Sequence, residues 1–183
     1  RIDVYKDREE VFVRVIDYKS SANRIDFAKM ENGIQMQLIF YLDITSKEIK
    51  KGAKPAGALY FEMKDPFVEW EEGKSVEELR LEQVKLEGIL LEDMEAIHAM
   101  DETLQEKKQS VVVGVSLTKD GSPRKSPYIL KGEDMEIWFE HVEEMISHGV
   151  SQIKKGEISI NPYQYKGEKG CTYCDYKSIC QFD

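Results

Sequence analysis

Cysteine is nearly absent from this 183-residue chain. Only Cys171, Cys174 and Cys180 occur, all within the last thirteen residues. An odd, clustered set excludes a disulfide framework as the organising device of the fold and points instead to metal ligation. Histidine is equally sparse: His98, His141 and His148 lie in or near expected helices, and no spacing recommends any of them as a ligand. Zinc and iron–sulfur centres ordinarily take four ligands, so the C-x2-C-x5-C set is one short. Long apolar runs are missing too. No stretch of eighteen apolar residues and no basic-then-apolar leader is present, so neither a membrane span nor a signal peptide is expected, and the chain is read as soluble and cytoplasmic. There is no internal repeat and no low-complexity stretch.

Positive charge is in deficit, with 26 Lys and Arg against 35 Asp and Glu and a net charge of −9. Phosphate neutralisation needs cations, so this is not the composition of a dedicated DNA-gripping surface. The deficit is local, however. Residues 1–61 hold 11 basic and 9 acidic side chains, residues 62–106 hold 4 and 15, and residues 107–183 hold 11 of each. The overall sign therefore does not exclude DNA as a partner of the N-terminal third.

What is present reads as an α/β domain with a mixed sheet. Val11 to Tyr18 is β-branched and alternating, a strand. Ser20 to Glu31 is a polar linker. Ile34 to Thr45 is apolar almost all round and reads as a buried helix. Ala58 to Met63 is a second inner strand, ended by Asp65-Pro66. Ser75 and Glu78 stand in capping-box spacing at the head of a charged helix, followed by an acidic segment from Ile89 to Met100. Val111 to Leu117 is predicted as a strand and Glu133 to Lys155 as a long amphipathic helix. The length suits one domain, 1–183, with a cysteine-rich tail at 156–183. Because the chain opens at Arg1 within strand-like sequence, it is read as a piece of a longer protein.

The opening strand ends on an acid and a lysine two residues apart. In a strand, positions i and i+2 share a face at roughly 6.5–7 Å, so Asp17 and Lys19 converge on one site. The pattern acid-x-Lys is weak by itself: it recurs at Glu48-Ile-Lys50, Glu62-Met-Lys64, Glu72-Gly-Lys74, Glu106-Lys-Lys108 and Asp175-Tyr-Lys177, where solvated charge is the plain reading. At Asp17 the setting differs, because a charged pair at the end of an apolar strand is costly without a role. Gln37 and Tyr41 follow at i and i+4, stacked on one helical face.

Together, DYK at Asp17–Lys19 and QLIFY at Gln37–Tyr41 resemble the motifs of the PD-(D/E)xK nuclease superfamily. That resemblance implies a restriction-endonuclease-like sheet flanked by helices, with Mg2+ as cofactor. Asp17 and the backbone carbonyl of Tyr18 would be metal ligands, Lys19 would stabilise the attacking hydroxide and the phosphate, and Gln37 and Tyr41 would hold the nucleic-acid backbone or brace the lysine.

With PAGALYFEMKDP at Pro55–Pro66 and the terminal cysteines added, the whole chain resembles the C-terminal nuclease domain of the AddB (RexB) family. That resemblance implies a DNA exonuclease domain of a bacterial helicase–nuclease that resects double-strand breaks, with an AddA-type helicase subunit as partner and no membrane. It also implies a [4Fe-4S] cluster on Cys171, Cys174 and Cys180, completed by a distant upstream cysteine. Family members carry a GRIDRID-like segment whose first Asp is the other metal carboxylate. Arg1-Ile2-Asp3 matches its second half, which sets the first Asp just before residue 1; Asp3 is the alternative ligand. A CRISPR-associated iron–sulfur nuclease shares the cysteine layout, and a catalytically silent DNA-binding module is the non-enzymatic alternative.

Overall fold

β-Branched alternation along EVFVRVIDYK produces the central strand of the domain. A computed structural model of the chain, describing residues 1–7, 9–49, 52–172 and 174–180, places β1 at Ile2–Asp7 and β2 at Glu10–Lys19. Then come α1 (Phe27–Glu31), α2 (Gln37–Ile49), β3 (Lys54–Glu62), α3 (Val76–Gln83), β4 (Glu87–Leu91), α4 (Met94–Met100), β5 (Ile129–Leu130) and α5 (Gly132–Lys154). The sheet order is β1-β2-β3-β4-β5, with β1/β2 and β3/β4 antiparallel and β2/β3 and β4/β5 parallel. This is the mixed, helix-flanked α/β sheet that the sequence implies.

The chain divides into two compact units, Arg1–Ile146 and Ser147–Asp183. The first contains the sheet. On one face Phe12, Ile16, Leu59 and Leu90 pack with Ala96, Ile97 and Met100 of α4. On the other, Val15, Ala58, Tyr60 and Ile89 pack under Leu38, Ile39 and Leu42 of α2 and Met135, Phe139 and Val142 of α5. α2 and α5 are further joined by Lys47, which reaches the buried Asp43 at 2.9 Å and Glu143 at 2.7 Å. Burial pushes the Asp43 carboxyl up, against the pull of Lys47. In the second unit, β6 (Gln164–Tyr165) and β7 (Glu168–Lys169) form a two-stranded hairpin before α6 (Lys177–Cys180).

Several boundaries move from the sequence reading. The linker contains α1, capped by Asp26. α2 begins at Gln37 because Gly33, at φ 76°, turns the chain first. Ser75 and Glu78 form the expected capping box. The acidic segment from Ile89 begins as β4 before α4.

The strand expected at Val111–Leu117 is not formed, although its alternation is used. Val113, Val115 and Leu117 are buried, yet the backbone makes only isolated bridges at Val113, Ser116 and Leu117. The cause lies in Asp101 and Ser110. Ser110 Oγ donates to Asp101 at 2.5 Å, the Val111 amide donates to Asp101 at 3.0 Å, and the Val112 and Val113 amides each donate to Ser110 Oγ at 3.0 Å. These bonds compete with a ladder for the same donors.

Burial acts to raise the Asp101 pKa, but the bonds from Ser110, Thr103 and Val111 outweigh it and hold the carboxyl below its ordinary value. Its contribution to stability is therefore full above the ordinary carboxylate pKa of about 4 and is lost as pH falls through the lowered folded value. Asp101→Asn is expected to cost about 1–3 kcal/mol at pH 7 in urea unfolding, with the gap to the parent protein narrowing below about pH 4. An equal gap at pH 7 and pH 3 would contradict this.

Candidate active site

The candidate site begins at the C-terminal end of β2. Asp17 and Lys19 lie on the face that carries Val15, the same face against which α2 packs. Lys19 Nζ is 2.8 Å from Asp17 Oδ2, and both side chains are about one-third exposed, at 33% and 31%. The bond to Asp17 raises the Lys19 pKa against the desolvation that lowers it. Lys19 is therefore an ammonium at neutral pH, able to donate and to neutralise but not to accept a proton.

The parallel ladder sets two further side chains beside this pair. Asp17 is in register with Tyr60, and Lys19 with Glu62. The Tyr60 ring is buried and lies 5.7 Å from Lys19 Nζ. Burial pushes the Tyr60 hydroxyl pKa up, so the ring meets the ammonium as a neutral phenol. Glu62 is drawn to Lys64 at 2.8 Å. Neither residue stands out in the sequence. Their parity within PAGALYFE was legible, but the strand pairing that sets them beside Asp17 and Lys19 was not.

Gln37 and Tyr41 stand on α2, over the same face of the sheet, and Gln37 Nε2 donates to Tyr41 Oη at 3.1 Å. Both are exposed, unlike the buried pair that an all-round apolar helix suggests. The helix buries Leu38, Ile39 and Leu42 and turns this hydrogen-bonded pair outward. Tyr18 points to the opposite face, where its ring meets Phe61 edge-on at 5.5 Å. Only its backbone lies between Asp17 and Lys19.

Asp3 is separated from Asp17. It pairs with Arg14 across β1/β2, which puts it on the other face of the sheet. There it accepts from Arg1 at 2.8 Å and from Arg14 at 2.9 Å, and the Arg1 bond chiefly holds its carboxyl below the ordinary value. Register and side-chain alternation thus remove Asp3 from the set that could share a cation with Asp17.

In the second unit, Cys171 and Cys180 are half-buried and Cys174 is exposed, all as free thiols. The Cys174 amide donates to the Cys171 carbonyl at 3.1 Å, closing a turn. The Tyr176 amide donates to Cys174 Sγ at 3.4 Å. Lys177, in the second DYK, donates to the Thr172 carbonyl at 2.6 Å. Among the described residues no three His, Cys, Asp or Glu side chains converge as a metal site. The donor chemistry nevertheless suits each group in part: Asp17 offers a hard oxygen and the tail offers soft sulfurs.

Comparison with known proteins completes the picture. The family model of the PD-(D/E)XK nuclease superfamily matches residues 1–181. The chain belongs to this superfamily. Curated relatives, each named as a subunit of an ATP-dependent helicase/deoxyribonuclease, match it along its full length, at 39% identity over 190 residues in Bacillus pumilus, 34% over 191 in Clostridioides difficile and 34% over 190 in Bacillus subtilis. The chain spans 16% of the length of each of these three.

Asp17→Asn removes the negative charge of the partner that most raises the Lys19 pKa. NMR titration of the Lys19 side chain is expected to show its pKa falling toward the ordinary lysine value. An unchanged titration would show that the ion pair is not formed in solution.

Proposed function

We propose that this chain is the nuclease domain of a bacterial helicase–nuclease. In this reading it hydrolyses DNA phosphodiesters as an exonuclease with Mg2+, in the cytoplasm, while an AddA-type helicase subunit unwinds the duplex for recombinational repair. The observation that carries the reading is the Asp17–Lys19 pair at the end of an inner strand, under α2, in a chain of the PD-(D/E)XK superfamily. The relatives' names support DNA as substrate and a helicase context, and they weigh against a CRISPR-associated nuclease. Among the described residues no helix is long and apolar enough to cross a membrane.

Asp17, with the Tyr18 carbonyl, would hold the cation. When bound, such a cation would lower the pKa of a water and neutralise charge on the phosphate. Lys19 contributes a fixed ammonium, kept charged by Asp17 and seated over Tyr60, for the oxygen on which charge develops. Gln37 and Tyr41, bonded to each other and exposed, offer a donor and a hydroxyl for the nucleic-acid backbone. The β1/β2 register supports a second carboxylate immediately before Arg1. Ile2 pairs with Val15 and Asp3 with Arg14, so a strand continued by one residue faces Asp17. A [4Fe-4S] cluster on Cys171, Cys174 and Cys180 would take its fourth thiolate from elsewhere in the parent protein.

In the full-length parent, Asp17→Ala is expected to lower DNA cleavage at least about a hundredfold while ATP-driven unwinding persists. Retained cleavage at ordinary Mg2+ would overturn the proposal. The anaerobically purified parent is expected to contain about four irons per chain and to absorb in the visible thiolate-to-iron region. Stoichiometric zinc would refute the cluster and leave the nuclease reading intact.

A further inference from the structure

The segment from Met63 to Leu81 leaves large apolar groups in water. Phe67 is fully exposed and Trp70 is 78% exposed, with Val76 and Leu81 exposed beyond them. Single exposed apolar residues are ordinary; a Phe and a Trp three residues apart on one loop are not.

The loop that carries them is pinned. It leaves β3 where the Met63 amide donates to the Lys19 carbonyl at 2.8 Å. It is then tied to α3 by Asp65 with Arg80 at 3.6 Å and by Lys74 with Glu82 at 3.2 Å, while Lys74 also pairs with Glu71 within the loop at 3.1 Å. The capping box at Ser75 fixes the start of α3. The two aromatic side chains thus project from a loop anchored at both ends, which limits the entropy lost when they are covered.

Charge identifies what covers them. Between Asp65 and Glu82 there are seven acidic residues and only two basic ones, Lys74 and Arg80. A nucleic-acid backbone is repelled by such a rim, so base stacking on Phe67 and Trp70 is disfavoured even though the loop starts beside Lys19. A protein surface rimmed by Lys and Arg is matched to it. The relatives carry much further protein in the same polypeptide, because the matching segment is only 16% of their length.

We propose that the Phe67–Trp70 loop docks in an apolar, Lys/Arg-rimmed cleft belonging to the same polypeptide outside this domain, and so fixes that polypeptide beside the Asp17–Lys19 end of the sheet. The inference rests on the reading of the chain as a domain of a longer helicase–nuclease.

The test is Trp70→p-benzoylphenylalanine in the full-length parent, followed by irradiation with single-stranded oligonucleotide present and mass-spectrometric mapping. Cross-links are expected to an apolar stretch of the same polypeptide outside residues 1–183 that is flanked by Lys or Arg, and Phe67→Ser is expected to reduce their yield several-fold. Cross-links only to the oligonucleotide, only to a separate subunit or only within residues 1–183, or none at all, would overturn the inference. A cleavage assay of Asp17→Ala separates the two failures. If Asp17→Ala abolishes cleavage but the expected cross-link is absent, the docking surface alone falls; if cleavage persists beside the expected cross-link, the catalytic reading falls.

Discussion

The parallel pairing of β2 with β3 decides where each candidate catalytic group stands. It is an inner pairing, buried on both faces, so slipping β3 by one residue against β2 would carry Ala58 out of one core and Leu59 out of the other. That penalty locks Asp17 against Tyr60 and Lys19 against Glu62. The ammonium is consequently seated between a carboxylate at 2.8 Å and a buried aromatic face, at a strand end still open to solvent. Core packing thus determines the position of the charged pair.

The same pairing orients the rest of the site. α2 lies on the face that Asp17 and Lys19 share, because its Leu38, Ile39 and Leu42 complete the core there, and its outward Gln37 and Tyr41 follow from that burial. α2 is held in turn through Lys47, between Asp43 and Glu143, to α5. The acidic segment after β3 starts from the residue bonded to Lys19, so the strongly negative part of the sequence borders the Asp17–Lys19 end of the sheet.

The pair Asp17 and Lys19, the α2 motif and the sheet class were legible in the sequence because each is local: period-two alternation, a two-residue offset, an i,i+4 offset. Tyr60 and Glu62 were not, since strand register is a long-range property. Asp3 shows the same limit. It sits in a family-like RID segment, yet cross-strand pairing with Arg14 sends it to the opposite face. Val111–Leu117 shows another. The expected strand does not form, although Val113, Val115 and Leu117 are buried, because Asp101 and Ser110 take the amides a ladder would need. The cysteine spacing was plain, but the three thiols by themselves supply an incomplete ligand set.

The central claim is that Asp17 binds the divalent metal on which cleavage depends. The most direct measurement is a ligand exchange, Asp17→Cys in the full-length parent, assayed with Mg2+ and then with thiophilic Mn2+ or Cd2+. A thiolate is a poor ligand for Mg2+ and a good one for softer ions. Cleavage lost in Mg2+ and restored by Mn2+ or Cd2+, with no such restoration in Asp17→Ala, is the predicted result. Undiminished cleavage in Mg2+, or no rescue by either thiophilic ion, would contradict it.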